Sequence, residues 1–229
     1  MRIFNFILTR AKNVLPEERL ASARDLILIK CNYVVDIGAN DGQWISDIKQ
    51  RGYTGPALSI EPLKENYKKL VAQNLNNVIT LNCAVGNMNG EIYINQASNN
   101  GLSSSILELD SSHKEAAPNV KFINKEKVKI LKLSKILTAT KHQNIYVKID
   151  TQGYEYEVLK SISKNCLNRI IAFEIETNLV STYKKSVLIE DVIKFLREKG
   201  FKPLRIENGF GAPNFGQQLQ MDILFVRAK

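Results

Sequence analysis

The chain is poor in the residues that staple small folds together. Three cysteines among 229 residues (Cys31, Cys83, Cys166) are odd in number, widely spaced and free of any CxxC pair. That spacing excludes a disulfide framework and a structural zinc site, and it leads us to expect a reducing, cytoplasmic setting. Histidine occurs twice and tryptophan once, and no Pro/Gly-rich linker or internal repeat divides the sequence. No run approaches the roughly 18 apolar residues of a membrane span. Acids are outnumbered, 23 Asp and Glu against 32 Lys and Arg, for a net charge of +9. Many of the lysines crowd between Lys121 and Lys148, a pattern that is usually a solvated face and otherwise a surface for an anionic partner. What remains is ordinary globular composition, 44% hydrophobic and 24% charged, which excludes a disordered chain.

Short apolar, β-branched runs alternate with stretches of helical period. The runs predict strands at 33–37, 57–61, 78–82, 145–150, 169–176, 201–206 and 220–227. Helices are expected at 44–50, 64–73, 154–161 and 188–199. Strands apolar at every position and separated by helices imply a mainly parallel sheet covered on both faces. Residues 207–219 leave no room for a crossover helix, so the last strand runs antiparallel. Segments 90–94 and 127–131 read as extra short strands. The opening MRIFNFILTRAK, apolar then basic without a small-residue cleavage site, reads as an amphipathic helix and not a signal peptide. A further helix is expected over 16–31. The organisation is thus an N-terminal helical extension (1–32) before an α/β domain (33–229): a doubly wound, Rossmann-like, mainly parallel seven-stranded sheet.

The segment VVDIGANDGQW carries the most chemistry. A buried strand ends in Asp36, passes Gly38 and Gly42, and opens a helix, which is where open α/β sheets bind ligands. A dinucleotide fingerprint needs glycine where Asn40 stands, and no Lys-Ser/Thr follows Gly42 as a P-loop demands. S-adenosylmethionine, with a ribose and no phosphate, fits what is left. The second strand ends Ser59-Ile60-Glu61-Pro62, placing a carboxylate where it can accept hydrogen bonds from both ribose hydroxyls. Cys83 and Ala84 after the third strand are small enough to pack beside adenine.

With VVDIGANDGQW, SIEP, NCAVG, SSSIL, KIDTQGYEYEVLK and the closing QMDILF in place, the chain from about Tyr33 to Val226 resembles the FkbM family of S-adenosylmethionine-dependent methyltransferases. The resemblance implies a class I methyltransferase fold and methylation of a hydroxyl on a sugar, glycan or secondary metabolite. Family members often carry Glu where Gln152 stands, so a role for that position as base or metal ligand is not implied here.

An alcohol is a weak nucleophile, and moving its proton calls for a base or a metal. Asp150 reaches the crevice rim at the end of its strand and is a candidate catalytic residue and cofactor contact. His113 follows the polar insert containing Ser103 and Ser104. These serines can hydrogen-bond the cofactor and His113 can serve as base, although a lone loop histidine is more often simply exposed. No metal motif occurs. Asp150, Glu174 and Asp222 can nevertheless converge at one rim, a set that would suit Mg²⁺, unless Glu174 and Asp222 instead pair with lysines or helix ends. The expected cofactor site is Asp36, Gly38, Asn40, Gly42, Glu61, Pro62, Cys83, Ala84, Ser103, Ser104 and Asp150. Two rival functions stand beside a small-molecule or glycan O-methyltransferase. One is an RNA 2′-O-methyltransferase, for which Lys30, Asp150, Lys185 and Glu207 would form the tetrad. It is disfavoured because no aromatic stacking strip interleaves the lysines. The other is a non-catalytic cofactor-binding scaffold.

Overall fold

The computed structural model describes Leu26, residues 29–212 and residues 216–228. The helix expected over 16–31 and the amphipathic opening segment lie almost wholly outside the described residues. The first half runs β1 (Tyr33–Ile37), α1 (Gln43–Gln50), β2 (Ala57–Ile60), α2 (Lys64–Ala72), β3 (Val78–Leu81), β4 (Ala84–Val85), β5 (Gly90–Ala97), α3 (Ser111–Ala116), β6 (Phe122–Leu131) and α4 (Leu133–Leu137). The second half continues β7 (Ile145–Ile149), α5 (Glu155–Lys160), α6 (Lys164–Leu167), β8 (Ile170–Asn178), α7 (Ile189–Glu198), β9 (Phe201–Asn208), β10 (Gly211–Ala212), β11 (Gln217–Gln218) and β12 (Gln220–Arg227).

The main sheet has seven strands in the order β3-β2-β1-β7-β8-β12-β9. β1 and β7 are buried at every position, because both faces of a central parallel strand meet helices. Val35 and Val147 feed one apolar cluster and Val34 and Tyr146 the other, as the two-residue period of a strand requires. Helix α7 closes one face with Val192 and Leu196, four apart on one side, with Glu190 and Asp191 in its first turn and Arg197 in its last, matched to the helix dipole. The expected antiparallel last strand is present as β12, which pairs antiparallel with both β8 and β9 and so lies between them. The connection before it holds a small β10–β11 hairpin.

The chain steps outward from β1 through β2 to β3, then restarts on the other side at β7. The carboxyl ends of β1 and β7 therefore flank the switch point where such sheets bind ligands. The stretch between β3 and β7 is more ordered than its sequence indicates. Strands β5 and β6 are longer than the expected runs and, with β4, form a separate three-stranded sheet. Lys125, Lys127 and Lys129 alternate outward along β6 while Val128 and Ile130 are buried. Two of these lysines pair with acids, Lys127 with Glu91 (2.5 Å) and Lys125 with Glu108 (3.4 Å). This part of the lysine run is thus one exposed strand face. Among the described residues no helix is long and apolar enough to cross a membrane.

Candidate active site

A cleft opens at the switch point, where open α/β sheets hold their ligands. Its walls come from the ends of β1 (Ile37, Gly38, Asn40), β2 (Ile60, Glu61, Pro62), the β3–β4 link (Cys83, Ala84) and β7 (Asp150, Thr151, Gln152). The insert adds Ile94, Leu102, Ser104 and Ile106.

Gly38 sets the shape of this cleft. Its φ is +84°, and a Cβ placed there would lie 1.8 Å from the carbonyl oxygen of Asp150. Only glycine lets the β1 turn and the β7 end approach so closely. Asn40, at φ +50°, turns its backbone N–H onto Glu61 Oε2 at 2.8 Å, and Leu63 N–H donates to Glu61 Oε1 at 2.8 Å. Each carboxylate oxygen thus holds one backbone donor and keeps a second lone-pair direction. Glu61 is 5% exposed, and burial pushes its pKa up to about 7 against the lowering effect of those two N–H groups. Asn82 ties the β2 exit to β3 by donating to the carbonyls of Glu61 (2.8 Å) and Pro62 (2.9 Å).

Of the residues expected to hold a cofactor, Gly38, Asn40, Glu61, Pro62, Cys83, Ala84, Ser104 and Asp150 line the cleft. Three are placed elsewhere. Gly42 packs α1 onto α2, where a Cβ would meet Leu70 at 2.6 Å. Ser103 lies in the insert, with its hydroxyl accepting from Asn99 (2.9 Å). Asp36 is fully buried behind the loop, and neither carboxylate oxygen has a hydrogen-bond partner among the described residues. Burial pushes its pKa up to about 7, although Lys148 opposes the shift.

His113 is neither exposed nor on the cleft wall. It sits on the short helix α3, 2% exposed, with its ring 5.4 Å from Tyr183 and 5.1 Å from Phe210. Burial lowers its pKa, so the ring favours its neutral form. Asp110 caps this helix by accepting from Ser111 N–H at 2.7 Å. Such a six-residue helix has too few periodic positions to register in the sequence.

The proposed Mg²⁺ set is corrected by a lysine. Lys148 Nζ donates to Asp150 Oδ2 at 3.0 Å, and Glu174 and Asp222 line the same open cleft behind the sheet. Burial works against the ammonium, but Asp150, Asp36, Glu174 and Asp222 together raise its pKa above that of a free lysine. The positive charge these acids surround is therefore part of the chain. Among the described residues no group of three or more His, Cys, Asp and Glu is arranged to hold a metal ion.

No local signal in the chain marks the network beside Asp150. Gln152, at φ +56°, donates through Nε2 to Asp150 Oδ1 (2.8 Å) and Glu176 Oε2 (3.0 Å). Its Oε1 accepts from Tyr183 Oη at 2.7 Å, and its carbonyl accepts from Ser105 Oγ at 2.6 Å. Gln220 donates to the same Glu176 Oε2 at 2.8 Å. The pairing of β7 with β8 brings Asp150 and Gln152 beside Glu176, and that of β8 with β12, which sets Glu176 opposite Asp222, brings Gln220.

No curated protein matches the chain. Among solved structures it is similar to magnesium protoporphyrin IX methyltransferase from Synechocystis PCC 6803 with bound SAM, at 10% identity over 93% of this chain and 77% of that one, TM-score 0.49. It is also similar to a S-adenosylmethionine-dependent methyltransferase from Clostridium acetobutylicum, at 8% identity over 99% and 100%, TM-score 0.47. A third is 1,6-didemethyltoxoflavin-N1-methyltransferase from Burkholderia thailandensis, at 12% identity over 98% and 86%, TM-score 0.45. The family model described as the methyltransferase FkbM domain matches residues 36–203, from the glycine loop to the start of β9, and the chain therefore belongs to the FkbM methyltransferase family.

Proposed function

We propose that this protein is an S-adenosylmethionine-dependent O-methyltransferase acting on the hydroxyl of an uncharged small molecule or glycan. The observation that carries the reading is Glu61, a buried carboxylate held by two backbone N–H groups between the glycine loop and the Cys83–Ala84 wall. The residues present fit the cofactor. Gly38 lets the β1 turn close against the β7 end at the cleft wall, Glu61 retains acceptor directions for two ribose hydroxyls, and Cys83 and Ala84 leave a small-residue wall for a base. When bound, S-adenosylmethionine supplies an electrophilic methyl group on a positively charged sulfur. Asp150 at the end of β7 sits where a carboxylate can receive the ammonium of the methionine part, and Lys148 and Gln152 hold it in place.

Methyl transfer is a displacement in line, so positioning supplies much of the rate. The insert, with Leu102, Ser104 and Ile106 on the cleft wall, narrows the site and helps to exclude water. The acids Asp150, Glu174, Glu207 and Asp222 border the second cleft with one lysine. This sign of charge favours an uncharged acceptor over an RNA backbone, whatever the overall charge of the chain.

The test is calorimetry with S-adenosylmethionine and S-adenosylhomocysteine, followed by incubation with radiolabelled cofactor and a panel of hydroxylated acceptors. Micromolar binding is expected. Absence of binding at high micromolar cofactor overturns the reading, and salt-sensitive binding of RNA favours the nucleic-acid reading.

A further inference from the structure

Three carboxylates gather around the loop that follows β7, where Asp150, Thr151 and Gln152 line the cleft, and their partners set them apart. Asp150 holds one donor on each oxygen, the ammonium of Lys148 at 3.0 Å and the amide of Gln152 at 2.8 Å. Glu155 closes its own loop, its Oε1 accepting from Thr151 N–H (2.9 Å), Thr151 Oγ1 (3.1 Å) and Gly153 N–H (3.0 Å). Glu176 differs. Its Oε2 is clamped between the side-chain amides of Gln152 (3.0 Å) and Gln220 (2.8 Å), while Oε1 receives no protein donor among the described residues. Strand register sets Glu176 level with Asp150, one residue past the Ile149–Ile175 pair.

We propose that Glu176 is the catalytic base of this enzyme, taking the proton of the acceptor hydroxyl on Oε1, with Gln152 and Gln220 as positioning residues that aim it. The inference rests on the O-methyltransferase reading above. The acceptor oxygen forms a bond to the methyl carbon as the sulfur–methyl bond breaks. The bonding pair stays on sulfur, which becomes a neutral thioether, and the hydroxyl proton passes to Glu176 and then to water. The surroundings suit a base. Burial first, then the charges of Asp150, Glu155 and Asp222, push the Glu176 pKa well above a free glutamate, with Lys148 as the opposing charge. A carboxylate of raised pKa is the better proton acceptor. Asp150, by contrast, is paired to a buried ammonium. His113 packs edge-on against Tyr183, whose hydroxyl in turn holds Gln152.

The test needs no knowledge of the acceptor. Sinefungin replaces the transferable S-methyl of the cofactor with a carbon bearing an ammonium, so it places a positive charge where the methyl would sit. Its affinity relative to S-adenosylhomocysteine is measured by calorimetry on the full chain. The wild type is expected to prefer sinefungin by about tenfold, the size of one hydrogen bond to a charged group. Glu176→Gln is expected to erase that preference while binding S-adenosylhomocysteine as before. An unchanged preference in Glu176→Gln, or no preference in the wild type, overturns the assignment of Glu176 and leaves the cofactor site standing. Failure of the wild type to bind either compound overturns the function reading itself. If Glu176→Gln binds neither compound, Glu176→Asp is used. Retained S-adenosylhomocysteine affinity with a reduced sinefungin preference supports the proposal, and full preference refutes it.

Discussion

Replacing Glu61 by Gln tests the cofactor site at its most exposed assumption, that an ionised carboxylate reads the ribose. Glutamine keeps the size and an acceptor oxygen, so Leu63 or Asn40 N–H retains a partner. It cannot offer two negatively charged acceptors. A hydrogen bond to a charged group is worth about 1.5–3 kcal/mol. Losing two, with partial compensation by the amide, amounts to about 3 kcal/mol, or about a hundredfold in dissociation constant. The pH dependence is a second, independent readout. In the free protein burial holds the Glu61 carboxyl up to about 7, and the ribose hydroxyls donate to the ionised form. Affinity is therefore full above about pH 7 and falls by about tenfold for each unit below it. The Gln variant should show the weak affinity at every pH, which separates Glu61 from Asp36, also raised to about 7. Calorimetry with S-adenosylhomocysteine between pH 5.5 and 8.5 measures both effects. A wild-type affinity independent of pH, or a Glu61→Gln variant that binds as tightly as the parent, would refute the reasoning.

Three further outcomes are expected. Asp36 has a folded-state pKa above its unfolded value, so its favourable contribution is present below about pH 4 and is lost as pH rises to about 7. Asp36→Asn should therefore raise Tm at pH 8 by about 2–8 °C, for about 1–3 kcal/mol, and leave it nearly unchanged at pH 4.5; an equal shift at both values contradicts this. Gly38→Ala must push the Asp150 carbonyl aside at positive φ, so we expect a loss of about 2 kcal/mol or more and no measurable cofactor binding; a normal melting curve with normal binding would contradict the close approach. His113→Ala removes a buried ring from against Tyr183 and Phe210, with an expected loss of about 2–4 kcal/mol in thermal melts but unaltered S-adenosylhomocysteine affinity, and a large drop in that affinity would place the ring in the cleft after all.

The sheet was legible because its strands are apolar on both faces and its helices keep their period. VVDIG could be read as β1 and the turn after it, and Leu58–Glu61 as a strand delivering a carboxylate, because each signal is local. The insert was less legible. Strand β6 mixes outward lysines with inward Val128 and Ile130, so only its apolar end stood out from a charged loop. Helix α3 is too short to show periodicity, which left His113 reading as a loop residue when it is buried. The lysine that competes with the Mg²⁺ alternative is hidden for a related reason. Lys148 sits inside an otherwise apolar strand, YVKI, and the register Asp36–Lys148–Glu174 that surrounds it with acids is a property of three strands. Glu176 met Gln152 and Gln220 through strand pairing alone, which no single stretch of sequence records.

The links at Gln152 also bear on how such an enzyme changes its acceptor over time. Ser105 grips the carbonyl of Gln152 from the insert, and Tyr183 grips its amide from the connection after β8. Both tethers come from outside the β1–β2 wall that faces Glu61. Drift in the insert or in the 179–188 connection can thus re-aim Gln152 while Gly38 and Glu61 stay fixed. New acceptors become reachable by remodelling two peripheral segments, with the ancestral half of the site carried forward unaltered.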